Sequence, residues 1–562
     1  MTRSLTRSLP VILALTAASP MLACSTASED VELAQISLRL AQGALALNVG
    51  QSLQVQASVS TASAQLYVVE YRSSAPAVVR VSTAGVLTGV SNGTATVTVV
   101  ARLLDSGASA TASVAVEVGQ GGVADAGAAP PPAQEAGTGP DAGAADASPP
   151  PAPPSPPPTV ACTKPPITGM NTTPAPLLAR PALNVPFVDP TYGMTVARVT
   201  AASQVTDRDK PSWVRHEYSR KQPFNANSTR ALMVSSNGWM RLYDVTASGT
   251  MSFVKTVGIG EPQEPAWHPT DPNKVWLYGY YGQGMTISTY DVATDQVSVT
   301  RNLSTKLKAL FPSAARAWTK QEGRPSDDGR VHCLMVEDAS YGMLGLVAYD
   351  MNSDTILGSM PTTNRPDHVS TSPKGDYCVP SWGTPTGTRA YKTDFSSYTQ
   401  LHSTSEHSDL AVTKGGAQVY VYSDYNAGFV SMVDLATGAK TNLFALYGPN
   451  SSHTAMHISG TSRARPGYVT VSFYGCGADY GRAACDPTVQ WFKDKIVAVE
   501  LAANPRIVNL AHTHYGDGGY FAETQAVANP DLTKILFVST WESSSEADVA
   551  SYLLQVPSCA LP

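Results

Sequence analysis

Charge is what this chain of 562 residues has least of: Asp, Glu, Lys and Arg make up 15% of it, and the net charge is only −6. No Lys/Arg cluster interrupts that mildly acidic balance, which argues against nucleic acid or an anionic membrane surface as a partner. Beyond the N-terminus, no stretch is long and apolar enough to cross a bilayer. Haem-attachment, nucleophile-elbow Gly-x-Ser-x-Gly and P-loop motifs are all missing, so redox, serine-hydrolase and nucleotide chemistries have no signature here. Cysteine is scarce at seven residues. Setting Cys24 aside leaves an even number, as suits an oxidising compartment.

What the chain does have begins with an export leader. Arg3 and Arg7 precede a short apolar core from Leu9 to Ala18, and Met21-Leu22-Ala23-Cys24 follows. The core is too short to span a membrane. Its ending resembles a bacterial lipobox, although Met21 is unusual there and leaves ordinary cleavage open. The resemblance implies acylation of Cys24, with Ser25 as an outer-membrane sorting signal. Membrane contact would then run through an N-terminal lipid only. The expectation is an outer-membrane lipoprotein or an extracellular protein, with residues 1–24 as signal peptide.

Residues 34–118 alternate in the manner of strands, as in Val55-Gln56-Ala57-Ser58-Val59 and Ala95-Thr96-Val97-Thr98-Val99, without helical periodicity. The run from Tyr71 through Val81, then Gly85-Val86-Leu87-Thr88-Gly89-Val90 and Gly93-Thr94-Ala95-Thr96-Val97, resembles the group 2 bacterial Ig-like domain, with Tyr71 where that family has Trp. Such domains serve as spacers or adhesive modules. Residues 119–161 are rich in Ala, Gly, Pro and Asp and cannot bury a core; their prolines favour an extended stalk.

From 162 to 562 a repeat takes over. Turn signals such as Asn225-Ala226-Asn227-Ser228, Ser326-Asp327-Asp328-Gly329, Ser372-Pro373-Lys374-Gly375 and Asn529-Pro530-Asp531-Leu532 each lead into a short apolar run. Between them recur strands ending in Asp, as at Tyr290-Asp291, Tyr349-Asp350 and Val433-Asp434. A period of roughly 40 to 60 residues with several short strands predicts a β-propeller, here of seven blades. The fold class is therefore all-β: an Ig-like sandwich, a Pro-rich linker and a propeller. Cys162 and Cys559 bracket the ring and are expected to be bridged where its ends meet. Cys476 and Cys485 would staple a Gly-rich insertion. Cys333 and Cys378 stand at similar points of consecutive blades, as a bridge or as two buried thiols.

Counting back from the turn glycines reaches Gln222, Glu264, Glu322, His368, His407, His453 and Gln525, a ring expected at one mouth of the channel. The plainer reading of such a ring is a polar, water-filled channel. Three histidines in successive repeats instead suggest a metal or acid–base site. Here the chain resembles the oligogalacturonate lyases, seven-bladed propellers that cleave pectic oligomers by β-elimination with a divalent metal. That resemblance implies His368, within Asp367-His368-Val369-Ser370, as the base and His407 as a metal ligand. It extends the metal set to His453, Glu523 and Gln525. Glu523-Thr524-Gln525 replaces the family's His-x-His, and oxygen ligands suit Mn, Ca or Mg; with histidines also in the set, the expected ion is one divalent metal, Mn, Ca or Zn. His216, Tyr218, Arg220, Gln222 and Glu322 would contact substrate. The partner would be an extracellular polysaccharide or a surface ligand, and the alternative is a non-catalytic adhesion propeller binding glycan or protein.

Overall fold

The computed structural model describes residues 36–40, 44–55, 57–61, 67–81, 86–103, 109–119, 164–207, 210–447, 454–475, 490–516 and 518–561. The leader, Cys24, the stalk from 120, Cys162, His453, Cys476 and Cys485 lie outside the described residues. The chain divides into two compact units, 1–144 and 145–562.

In the first unit, Ala44–Asn48, Ser109–Gly119, Gly93–Leu103 and Tyr67–Ser73 form one sheet, and Ser52–Gln54, Val86–Gly89 and Val79–Val81 another. Alternation dictates the packing. Along Ser109–Gly119 the valines 114, 116 and 118 are buried while their neighbours face water. They meet Leu47, Val79, Leu87, Val97 and Val99 in one core, and Tyr71 packs against it in the place expected of Trp.

The second unit is a β-propeller built from antiparallel meanders; among the described residues five are separate four-stranded sheets, and one nine-stranded sheet joins the first meander to the last. The fourth, for example, runs His368–Thr371, Tyr377–Ser381, Thr388–Lys392 and Tyr398–His402. The last borrows an N-terminal strand: Thr195–Arg198 pairs with Ala550–Gln555, placing Thr195 opposite Gln555 and Arg198 opposite Tyr552. Both ends of the repeat region thus share one sheet.

The turn signals prove to be hydrogen-bond staples. Asn225 Oδ1 accepts the N–H groups of Thr229 (2.9 Å) and Arg230 (3.0 Å), and Asn529 Oδ1 those of Thr533 (2.9 Å) and Lys534 (2.8 Å). Ser372 Oγ does the same for Asp376 and Tyr377, and Ser326 Oγ for Val331. A short polar side chain can satisfy backbone donors that a tight turn leaves orphaned. The strand-ending Asp residues cap the next turn likewise: Asp291 accepts from Ala293 and Thr294, Asp350 from Asn352 and Ser353, and Asp434 from Ala436 and Thr437.

Meanders pack face to face. Trp276 and Tyr278 of the second meet Leu334 and Val347 of the third in one buried cluster. Cys333 and Cys378 form a disulfide joining the third and fourth, which decides the choice left open above. Cys559 is disulfide-bonded as well; its expected partner is among the residues not described. His512 is buried. It ends the strand Ile507–His512, donates from Nε2 to Thr173 O (2.8 Å) and faces Asp189 (3.6 Å), so it anchors the segment that leads into the ring. His514 stacks on Trp541 at 4.1 Å.

Candidate functional site at the channel mouth

The innermost strand of each meander starts at one end of the channel, and His368 is the first residue of such a strand. The corresponding segment of the third meander is bent there. Lys320 and Gln321 both take positive φ (65° and 71°), a conformation costly for residues with a side chain unless the surroundings enforce it. Glu264 does the enforcing. Its carboxylate accepts the Thr319 N–H (3.1 Å), the Thr319 hydroxyl (2.6 Å) and the Gln321 N–H (2.7 Å). Glu264, counted into the polar ring, is therefore an anchor that aims the next residue, Glu322, at the channel.

Arg220 reaches across the mouth from the first meander. Nη1 donates to Glu322 Oε2 (2.9 Å) and His368 Nε2 (2.6 Å); Nε donates to Ser408 O (2.5 Å), and Nη2 to Ser408 Oγ (3.1 Å) and Glu406 O (3.2 Å). It is 4% exposed. A guanidinium is permanently charged and its planar fork suits this kind of multiple anchoring. His368 is buried, and burial, then the neighbouring guanidinium, hold its pKa below the ordinary histidine value. Its Nδ1 lies 3.7 Å from Asp367 Oδ2. Asp367 is held from outside by Lys320 Nζ (3.2 Å) and Ser405 Oγ (3.3 Å), and its pKa is lowered, chiefly by His368. Arg220 Nη1 also lies 3.1 Å from His368 Nδ1, so the guanidinium faces both ring nitrogens, and Asp367 at 3.7 Å is a charge neighbour beyond hydrogen-bond length.

The other side of the mouth is aromatic. His457, within the strand Ala455–Ser459, is buried between His407 (ring centroids 4.5 Å apart, 17° between planes) and Tyr474 (4.9 Å, 11°), with Tyr218 edge-on at 5.3 Å. Its Nε2 stands 2.9 Å from Glu523 Oε2. Burial raises the Glu523 pKa to about 7 and drives that of His457 well below its usual value. Near neutral pH the Glu523 carboxyl is therefore divided between its protonated and ionised forms.

The remaining sequence candidates are placed as follows. His407 donates from Nδ1 to Met456 O (2.6 Å). Its ring lies parallel to His457, so the in-plane lone pairs of the two do not converge and cannot chelate one ion. Gln525 accepts from Arg215 through its side chain and from His216 Nε2 (2.6 Å) through its carbonyl. His216 is buried, and desolvation followed by Arg215 pushes its pKa down to about 3; it is a structural donor. Gln222 ties the first meander to Ala528 O (2.9 Å). Tyr218 sets its ring edge-on to His457 at 5.3 Å, and Glu322 accepts from Arg220 at 2.9 Å.

Among the described residues, Glu322, Asp367 and His368 have ligand atoms within 4.8 Å of one another, a candidate metal group different from the set His407, His453, Glu523 and Gln525. Arg220 decides the fit. Its Nη1 already sits 2.9 Å from Glu322 Oε2 and 3.1 Å from His368 Nδ1. An ion at the usual ligand distance of about 2.0–2.6 Å would press against a permanent cation. The group fits a metal poorly while the guanidinium is there, and Arg220 supplies the positive charge.

Two residues at this mouth escaped the sequence. The turn glycine of the sixth repeat is Gly467, at φ 101°, and not Gly460. His457 lies ten residues before Gly467 and pairs opposite Ser472 as His368 pairs opposite Ser381, whereas counting from Gly460 led to His453. Asp367 stood beside His368 but was read only as its flank.

Residues 36–112 match the bacterial Ig-like domain (group 2). The class of the molecule is thus an Ig-like domain with a β-propeller. Solved structures similar to the chain include hydrazine synthase of Kuenenia stuttgartiensis (12% identity, 60% of this chain, 96% of that chain, TM-score 0.36). The Pan2 WD40 domain of Neurospora crassa (11%, 60% and 88%, 0.36) and the Cps50 (Swd1) β-propeller domain of Myceliophteria thermophila (11%, 61% and 97%, 0.34) are similar too. These TM-scores carry no argument about activity. No curated protein matches the chain. No helix among the described residues is long and apolar enough to cross a membrane.

Proposed function

We propose that the propeller acts on extracellular uronic-acid polysaccharide by β-elimination at this mouth. One observation carries the reading: a buried histidine, His368, lies between the Asp367 carboxylate (3.7 Å from Nδ1) and the Arg220 guanidinium (2.6 Å from Nε2). β-Elimination needs a base for the C5 proton and a cation that neutralises the C6 carboxylate and so acidifies that proton. His368 Nε2 takes the proton, with Asp367 stabilising the imidazolium that forms. Arg220 gives up its bonds to Glu322 and to His368 Nε2 for the substrate carboxylate, which frees the Nε2 lone pair for that proton. The C5–H electron pair becomes the C4=C5 bond, the C4–O bond breaks, and the leaving oxygen takes the proton of Glu523. Tyr520, 59% exposed, and Phe521, packed on Trp213 at 4.6 Å, offer ring faces for sugars at the rim. The export leader and the Ig-like domain support a location at the cell surface or outside it.

One observation favours a second reading. Arg220 commits its donors inside the protein and is almost wholly buried, so a mouth that keeps those bonds would hold glycan without cleaving it. Incubation with polygalacturonate or alginate separates the two. Cleavage generates the ultraviolet absorbance of an unsaturated uronate, and binding without any such product selects the adhesion propeller.

A further inference from the structure

A second opening lies at the far end of the same inner strands. The residues of the mouth stand where those strands begin; Pro269–Lys274 and Asp327–Gly329 stand where they end, at the turns into the next strand. Between the second and third meanders these turns frame a cleft of about 820 Å³, well within the size of small-ligand sites.

Its lining presents hydrogen-bonding groups that the fold leaves available. His268 accepts the Thr270 (3.3 Å) and Asp271 (3.0 Å) N–H groups at Nδ1, which leaves Nε2–H to donate. Arg301 uses Nε on Met351 O (3.0 Å) and Nη1 on Thr300 O (2.9 Å). The Thr289 and Thr300 hydroxyls share a 2.6 Å bond on adjacent strands. Asp327 lines both this cleft and the channel cavity, and no hydrogen bond among the described residues reaches its carboxylate. Trp276 forms one wall, its ring edge set over Gly329 where a Cβ would lie 1.9 Å from the indole.

We infer that this cleft is a second glycan-binding site, taking a polyhydroxylated sugar chain through Asp327, Arg301 and His268. Sugar hydroxyls both donate and accept, so they satisfy the carboxylate, the two donors and the threonine pair together. A phosphate or sulfate would meet Asp327 and Asp328, a metal ion would meet Arg301 and Arg463, and an apolar ligand would leave all these groups unpaired. The inference is independent of any chemistry at the mouth.

Affinity electrophoresis of the full chain through gels containing polygalacturonate, alginate or xylan tests it. Retardation by at least one of these is expected, with the apparent affinity falling roughly tenfold or more in Arg301→Ala and Asp327→Asn while both variants keep the wild-type melting temperature. Thr300→Val, on the outermost strand, replaces any variant that fails to fold. Gly329→Ala, which forces the indole to shift, should weaken retardation too. A wild type that no gel retards, or cleft variants that run as the wild type does while His368→Ala alone changes, overturns the inference.

Discussion

The two sides of the channel mouth bury polar groups in opposite ways. On one, fixed charges pair: Arg220 with Glu322, and Asp367 with Lys320. On the other, rings stack around the single pair His457–Glu523, whose members burial drives toward the neutral forms. The first arrangement holds charge where a substrate carboxylate needs it and keeps a base unprotonated. The second holds a proton that moves near neutrality. A polar channel without function has no need of that division.

The largest effect should follow from removing the base. His368→Ala is expected to lower lyase activity by about 10²–10⁴-fold with the melting temperature unchanged, read from initial rates of product absorbance. The charged side carries a covalent staple, and Cys333→Ser with Cys378→Ser should cost about 2–4 kcal/mol of stability in denaturant titration. Arg220→Ala strands Glu322 and His368; because Glu322 is 36% exposed, the loss should be roughly 1–3 kcal/mol, below that of a fully buried pair. Arg220→Lys should restore the charge without the fork and recover stability better than activity.

The proton-holding side should be read through pH. His368 must be unprotonated, so activity rises with pH through a value below the ordinary 6.5. Glu523 must be protonated, so activity falls as pH passes about 7. Glu523→Gln should abolish the alkaline limb as well as lower the rate about tenfold or more. The smallest effect lies beneath the mouth at Glu217, whose pKa burial raises to about 8 from 4.5. A carboxyl raised in the fold stabilises it fully below 4.5, and that contribution is lost as pH climbs through 8. Glu217→Gln should therefore melt with the wild type near pH 4 and roughly 1–3 °C above it at pH 8.5.

Much of the fold was legible because its signals are local. Turn staples such as Asn225 and Ser372 act within five residues, and the alternation around Val114 and Val116 marks one face of a strand. The pairing of Thr195–Arg198 with Ala550–Gln555 was legible for another reason: a ring must close. The site was legible only in part. His368, His407 and Glu322 follow from equivalent places in the repeat, yet which neighbour each one meets depends on side chains crossing the channel. Arg220 reaches three other meanders, and no spacing in the chain announces that. His457 escaped because a longer turn in the sixth repeat displaced the count, and the lengthening is visible only once Gly467 is known to take the positive φ.

The central claim is that a neutral imidazole and a guanidinium, without a bound ion, drive elimination here. The direct measurement is product absorbance from polygalacturonate and alginate by protein exhaustively treated with chelator, beside His368→Ala treated alike. Undiminished absorbance from the wild type and none from the variant is the predicted result. Absorbance that vanishes with chelation and returns with added metal, or that persists in His368→Ala, would contradict it.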